Sequence, residues 1–170
     1  MTPKEILGIG MKPRFTMSWD QDELARAFKV TPQDIREYLT DGRRVSFIIE
    51  RRLKWENEGW ALAPSEGAGY DLRDPEGGLW EVRSITAQGV YFNPSNQVGK
   101  GRRFAEEGFL AKLAALKGFI LSDITGFPHV QVYVVPVEYV VNWYRAGRLG
   151  ANCKVSRANF LSRLAPGLPQ

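Results

Sequence analysis

Histidine and cysteine are almost missing from this chain of 170 residues, which carries a single histidine, His129, and a single cysteine, Cys153. One cysteine cannot close an internal disulfide, and a solitary thiol reads as a small buried hydrophobe. One imidazole cannot build the multi-histidine or Cys/His sets that hold zinc, and a Ser-His-Asp arrangement would depend on that one ring. His129 follows Gly126-Phe127-Pro128, a turn ahead of a strand, so its expected role is structural. Long apolar runs are lacking too. Val130 to Val137 and Gly118 to Leu121 fall far short of the roughly 20 residues that a membrane-spanning helix needs. Met1 to Met11 shows no basic region followed by an apolar stretch and a cleavage site, so the expectation is a cytoplasmic protein without membrane association. The hydrolytic chemistry left open is the kind run by carboxylates and a hard cation.

What is present is 44% hydrophobic content, enough for one core at this length. A net charge of +4 and a pI near 9.3 favour an anionic partner. Met1 to Trp19 is punctuated by glycine and proline and reads as irregular or a short strand. From Asp20 the pattern turns helical: acidic residues open one helix, Thr31 can cap a second, and Pro32 fits its first turn. Leu24, Ala25, Phe28, Val30, Thr31, Ile35 and Leu39 fall where a repressor-type helix-turn-helix wants them, and residues 1–41 resemble one. Lys29 departs from that pattern, standing where the turn glycine is commonest. The resemblance implies that Gln33, Asp34, Arg36 and Glu37 lie on or near the groove-facing side. An ordinary helical hairpin supporting the core makes the same short pattern.

After Gly42-Arg43-Arg44, residues Val45, Ile48, Ile49, Arg52 and Leu53 recur at helical steps as far as about Asn57, with Phe47 widening the stripe. Glu50 sits at the border of that stripe, from where a carboxylate can look inward or pair with Lys54. Ala61 to Ala68 reads as a loop. Tyr70 to Asp74 and Leu79 to Ile85 read as a hairpin around Pro75-Glu76-Gly77-Gly78. Val90 to Phe92 extends the sheet, and Asn93 to Arg103 is a polar loop carrying Lys100, Arg102 and Arg103. Phe104 to Lys117 reads as a helix, Phe119 to Ser122 and Val130 to Val135 as interior strands, and Val137 to Arg145 as a closing helix. The expected fold is α/β, a mixed central sheet flanked by helices over residues 42–164, with a short N-terminal helical hairpin and a loose tail over 165–170.

Residues two apart on a strand share a face, so Glu81 and Arg83 point together. A three-residue turn puts Asp71 opposite Glu81 and on its face, whereas with a turn of two or four Asp74 shares that face instead. Asp71 is favoured, because Asp74 beside Pro75 looks like a turn former.

A helical Glu50, then Asp71 at the start of a strand, then Glu81-Val82-Arg83 on the next, resembles the active-site order of PD-(D/E)XK nucleases. Type II restriction enzymes and the MutH-type nicking endonuclease are the nearest in spacing. The resemblance spans roughly Gly42 to Val135 and implies a restriction-endonuclease-like fold acting on double-stranded DNA, often as a homodimer. It implies that Asp71 and Glu81 hold Mg, with Mn able to substitute, that Glu50 supports the metal through water, and that Arg83 replaces the family lysine. Arginine can clamp a phosphate but cannot relay a proton as lysine can. A non-catalytic DNA-binding protein on a decayed nuclease core is therefore the alternative. Arg43, Arg44, Lys100, Arg102 and Arg103 are expected on the phosphate backbone. A third reading, a protein-binding accessory with an exposed tryptophan patch, meets the expectation that most of the tryptophans fill the core.

Overall fold

The computed structural model describes residues 11–97 and 101–169. A six-stranded sheet runs in the order β1-β7-β6-β4-β3-β2. Its strands are β1 (Arg14–Ser18), β2 (Ala61–Leu62), β3 (Leu72–Arg73), β4 (Leu79–Ile85), β6 (Gly118–Asp123) and β7 (His129–Pro136). Only the β4–β6 pairing is parallel, which makes the sheet mixed. The stretch expected to extend this sheet does not. β5 (Val90–Tyr91) leaves it and pairs with β8 (Lys154–Val155) in a separate two-stranded ribbon. Ala61–Leu62, expected as loop, is instead the last strand of the main sheet.

Alternation along the central strands loads both faces with apolar side chains. Val82, Ile120, Val132 and Val134 face one cluster, whereas Phe119, Leu121, Tyr133 and Val135 face the other. On the first face lie α1 (Gln21–Phe28), α2 (Pro32–Leu39) and α3 (Gly42–Glu56), anchored by Ala25, Ile35, Leu39, Val45, Ile49 and Leu53. On the second lie α4 (Glu106–Ala115), α5 (Val137–Arg145) and a short helical stretch that ends in a π-helical turn, Phe160–Leu164. Burying side chains such as Ile49 or Leu53 contributes about 1.5–3 kcal/mol apiece. The segment expected as a loose tail is corrected by the same face. Ala165 and Leu168 are buried there, because the π-turn carries the chain back over the second cluster.

The helical hairpin is built from local signals. Asp20 accepts the Glu23 N–H, and Thr31 and Asp34 form a reciprocal capping box ahead of Pro32. Lys29 takes the left-handed conformation at φ 56°, the backbone role for which the repressor pattern uses glycine. Helix α3 begins earlier than its apolar stripe suggests, because Asp41 caps the Arg43 N–H. Gly42 lets that helix start lie against β4: a Cβ there would sit 3.1 Å from Thr86 Cγ2 and 3.4 Å from Ser84 Cβ. No helix among the described residues is long and apolar enough to cross a membrane.

Candidate active site

The β3–β4 hairpin sets the register on which the site depends. The Asp74 N–H donates to the Gly78 carbonyl at 2.9 Å, so the turn takes Pro75, Glu76 and Gly77. Gly77, at φ 89°, fills the left-handed position of such a loop. Leu72 pairs with Trp80 and Arg73 with Leu79, and the Asp71 N–H donates to the Trp80 carbonyl at 2.9 Å, which brings the Asp71 carboxyl near Glu81. Asp74 points elsewhere. Its Oδ1 accepts the Glu76 and Gly78 N–H groups, and its Oδ2 accepts Trp80 Nε1 at 3.0 Å and Lys117 Nζ at 2.7 Å. Burial alone would raise the Asp74 pKa, but these donors together hold it below the usual carboxylate range.

Strand β3 pairs with β4 only at Leu79 and Trp80, whereas β6 lines the other edge of β4 as far as Ile85. Beyond Trp80 no strand among the described residues lies beside the outer edge of β4. Asp71 stands at this opening, and its Oδ2 accepts the first freed N–H, that of Val82, at 2.7 Å. Glu81 is 4% exposed. Its two oxygens meet Arg83 at 2.6 Å and Lys112 of α4 at 2.8 Å. The carboxylate therefore reaches the second face of the sheet, where α4 covers it.

Lys112 was not among the residues that sequence reasoning singled out. The available signal was its place three residues after Phe109 and next to Leu113, both buried, which sets a cation on an apolar helix face. Its side chain is 12% exposed. Arg83 also donates to the Asn93 carbonyl at 3.1 Å, while its Nε is buried without an acceptor.

Glu50, from α3, approaches from the opposite side. Burial first, then the Asp71 charge, pushes its pKa up to about 7, with a further contribution from Glu81. Burial, then the Glu81 charge, pushes Asp71 up to about 6, against the Val82 N–H, Arg83 and Lys112. The structure thus brings Glu50, Asp71, Glu81 and Arg83 to one cleft of about 870 Å³, whose walls include Arg43, Ser84 and Ser95.

The expected DNA contacts divide. Arg43 lines the cleft with a side chain 95% exposed. Arg44 lies over the Tyr38 ring at 5.1 Å. Arg102 donates to the carbonyl of the cleft-lining Ser95 at 2.7 Å, and Arg103 is exposed. Both precede α4, which begins at Glu106 rather than at Phe104. Lys100 lies outside the described residues. On the helical hairpin the polar groups expected to face a groove are largely engaged within the protein. Gln33 donates to Glu37 at 3.0 Å, Asp34 caps Thr31, and Arg36 donates to the Phe127 carbonyl. Phe47, expected to widen the buried stripe of α3, is exposed instead. Of the tryptophans, Trp60, Trp80 and Trp143 are buried, Trp19 is half-buried and Trp55 is exposed. Cys153 is buried, and burial pushes its thiol up to about 11. His129 Nδ1 lies 2.9 Å from Ser18 Oγ, a link between β7 and β1.

Among the described residues, no three or more His, Cys, Asp and Glu side chains form a group that could hold a metal ion. A hard cation such as Mg needs fewer protein ligands, commonly one or two carboxylates with water and phosphate oxygens. Asp71 and Glu81, which line one cleft and interact electrostatically, with the half-buried Glu50 nearby, form a donor set of that chemistry. No protein-family model, no curated protein and no solved structure matches this chain.

Proposed function

We propose that the cleft hydrolyses phosphodiester bonds of DNA, as a metal-dependent endonuclease site of the PD-(D/E)XK kind on a restriction-endonuclease-like fold. The observation that carries this reading is the pair of half-buried, mutually repelling carboxyls, Glu50 and Asp71, which line one cleft with the buried Glu81. A fold gains nothing from confining like charges unless something positive joins them. The succession of α3, the β3–β4 hairpin, α4 and β6, with β4 parallel to β6, supports the same reading.

Asp71 and Glu81 would hold Mg, with Mn able to substitute. A bound divalent ion lowers the pKa of its water and offsets charge on the phosphate. The Arg83 Nε, buried and without an acceptor, is a donor that a phosphate oxygen would satisfy. Lys112 holds Glu81 in place and puts an amine next to the arginine, so the site does not lack a lysine altogether. Glu50, titrating near 7, can accept a proton at its carboxyl at neutral pH. The exposed guanidinium of Arg43 suits a backbone phosphate at the mouth of the cleft.

Incubating the purified protein with supercoiled plasmid and Mg or Mn tests the proposal. Nicking or linearisation that Asp71→Asn and Glu81→Gln each abolish is expected. Gel shifts with no cleavage under either metal would assign the chain to non-catalytic DNA binding instead.

A further inference from the structure

Helix α3 has two polar sides, and only one belongs to the cleft. Successive residues on a helix are turned by about 100°. Val45, Ile49 and Leu53 face the core, and Arg43, Ser46 and Glu50 form the flank that lines the cleft. Arg44, Phe47, Arg51 and Trp55 follow on the outer side, contiguous with that flank and opposite the core. Large apolar side chains there stand in solvent: Phe47 is 57% exposed, Trp55 87%, and Tyr38, reached from α2, 48%.

Cations and aromatic faces alternate along this stripe. The Arg44 guanidinium lies 5.1 Å over the Tyr38 ring, and that of Arg51 lies 3.4 Å over the Phe47 ring. Asp41 balances part of the charge, pairing Arg43 and Arg44 at 3.9 and 3.8 Å. Planar cations already stacked on rings mark surfaces that flat π-systems can occupy next to negative charge. From Arg44 to Trp55 the stripe runs about 16 Å along the helix axis. That suits roughly four or five nucleotides of a single strand at about 3.4 Å apiece.

We propose that the outer stripe of α3, with Tyr38, binds single-stranded DNA adjoining the cleft. Bases stack on Tyr38, Phe47 and Trp55, and Arg43, Arg44 and Arg51 meet the phosphates. This inference rests on the reading of the cleft as a DNA site and narrows its substrate to DNA with an unpaired segment. Charge argues for a polyanion over a second copy of the chain, which would set arginine against arginine. Duplex DNA fits less well, because its bases are already stacked and offer these rings no free face.

The test is fluorescence anisotropy with the full chain in EDTA, using a labelled single-stranded 20-mer and a hairpin duplex of the same sequence. Tighter binding of the single strand is expected. The double variant Tyr38→Ala and Phe47→Ala should weaken it roughly tenfold or more, by loss of base stacking, while duplex affinity changes little. Trp55→Ala should weaken it further, and Trp55 emission should be quenched on binding in the parent protein. Equal affinities for the two probes, or a double variant that binds the single strand as the parent does, would overturn the proposal. So would a stripe that mediates self-association, seen as a concentration-dependent mass that the double variant abolishes. Duplex plasmid cleavage combined with unaltered single-strand binding by the double variant sinks the stripe alone. Stripe-dependent single-strand binding without any cleavage sinks the nuclease reading alone.

Discussion

Asp71 and Asp74 lie three residues apart at the two ends of one short strand, the first half-buried and the second buried, and their surroundings are opposite. Asp74 closes the turn with two backbone N–H groups, an indole N–H and an ammonium, and its pKa falls. Asp71 opens toward the cleft with one backbone N–H, faces Glu81 and Glu50, and its pKa rises to about 6. A satisfied acid holds a fold together, and an unsatisfied one awaits a partner from outside.

The contrast breaks most easily at the satisfied end. Asp74→Ala strands the Trp80 indole and two turn N–H groups and leaves Lys117 only Glu76, and it should cost about 3 kcal/mol in urea unfolding. A loss below 1 kcal/mol would remove the distinction between the two aspartates. Lys112→Met comes next, with an expected loss of about 2 kcal/mol, since Glu81 keeps Arg83 but loses half its compensation. Plasmid cleavage should fall with it, and Lys112→Arg should recover the stability more than the cleavage.

Asp71→Asn should have the opposite sign in stability. The amide oxygen can still accept the Val82 N–H, and the repulsion with Glu81 disappears, so a gain of about 1 kcal/mol is expected at pH 8 without metal. Cleavage should vanish in the same variant. The smallest effect concerns pH. Glu50 rises from 4.5 to about 7 and Asp71 from 3.8 to about 6 on folding, so the folded chain holds more protons than the unfolded one between those limits. Their contribution to stability is greatest at acid pH and is lost as pH rises through 6 and 7. Thermal melts without metal should therefore fall from pH 5 to pH 8. Glu50→Gln should flatten the fall by about 1 kcal/mol, the half-exposed carboxyl being partly screened by water.

Local chemistry was the legible part of the sequence. The capping box at Thr31, the strand repeats of β6 and β7, and helix α5 follow from spacing and capping that each segment carries within itself. The hairpin register hung on one residue of turn length, which sequence left open and Gly77 resolves. The departure of β5 from the main sheet and the burial of Leu168 depend on contacts with segments distant in the chain, to which short-range periodicity is blind. Lys112 was missed for a related reason: nothing near it in sequence shows that Glu81 waits 31 positions earlier, across the gap between helix and sheet. Phe47 misled because aromatic residues usually mark a buried face, whereas here it serves as a plate for Arg51.

The outer edge of β4, beside which no described strand lies past Trp80, has one more effect. A bare strand edge invites a foreign strand to add to the sheet. Here any newcomer's backbone would have to lie against Glu50 and Asp71, so the two acids also fence the sheet off from neighbouring chains. Acidification through pH 7 and 6 removes that charge while leaving the edge in place.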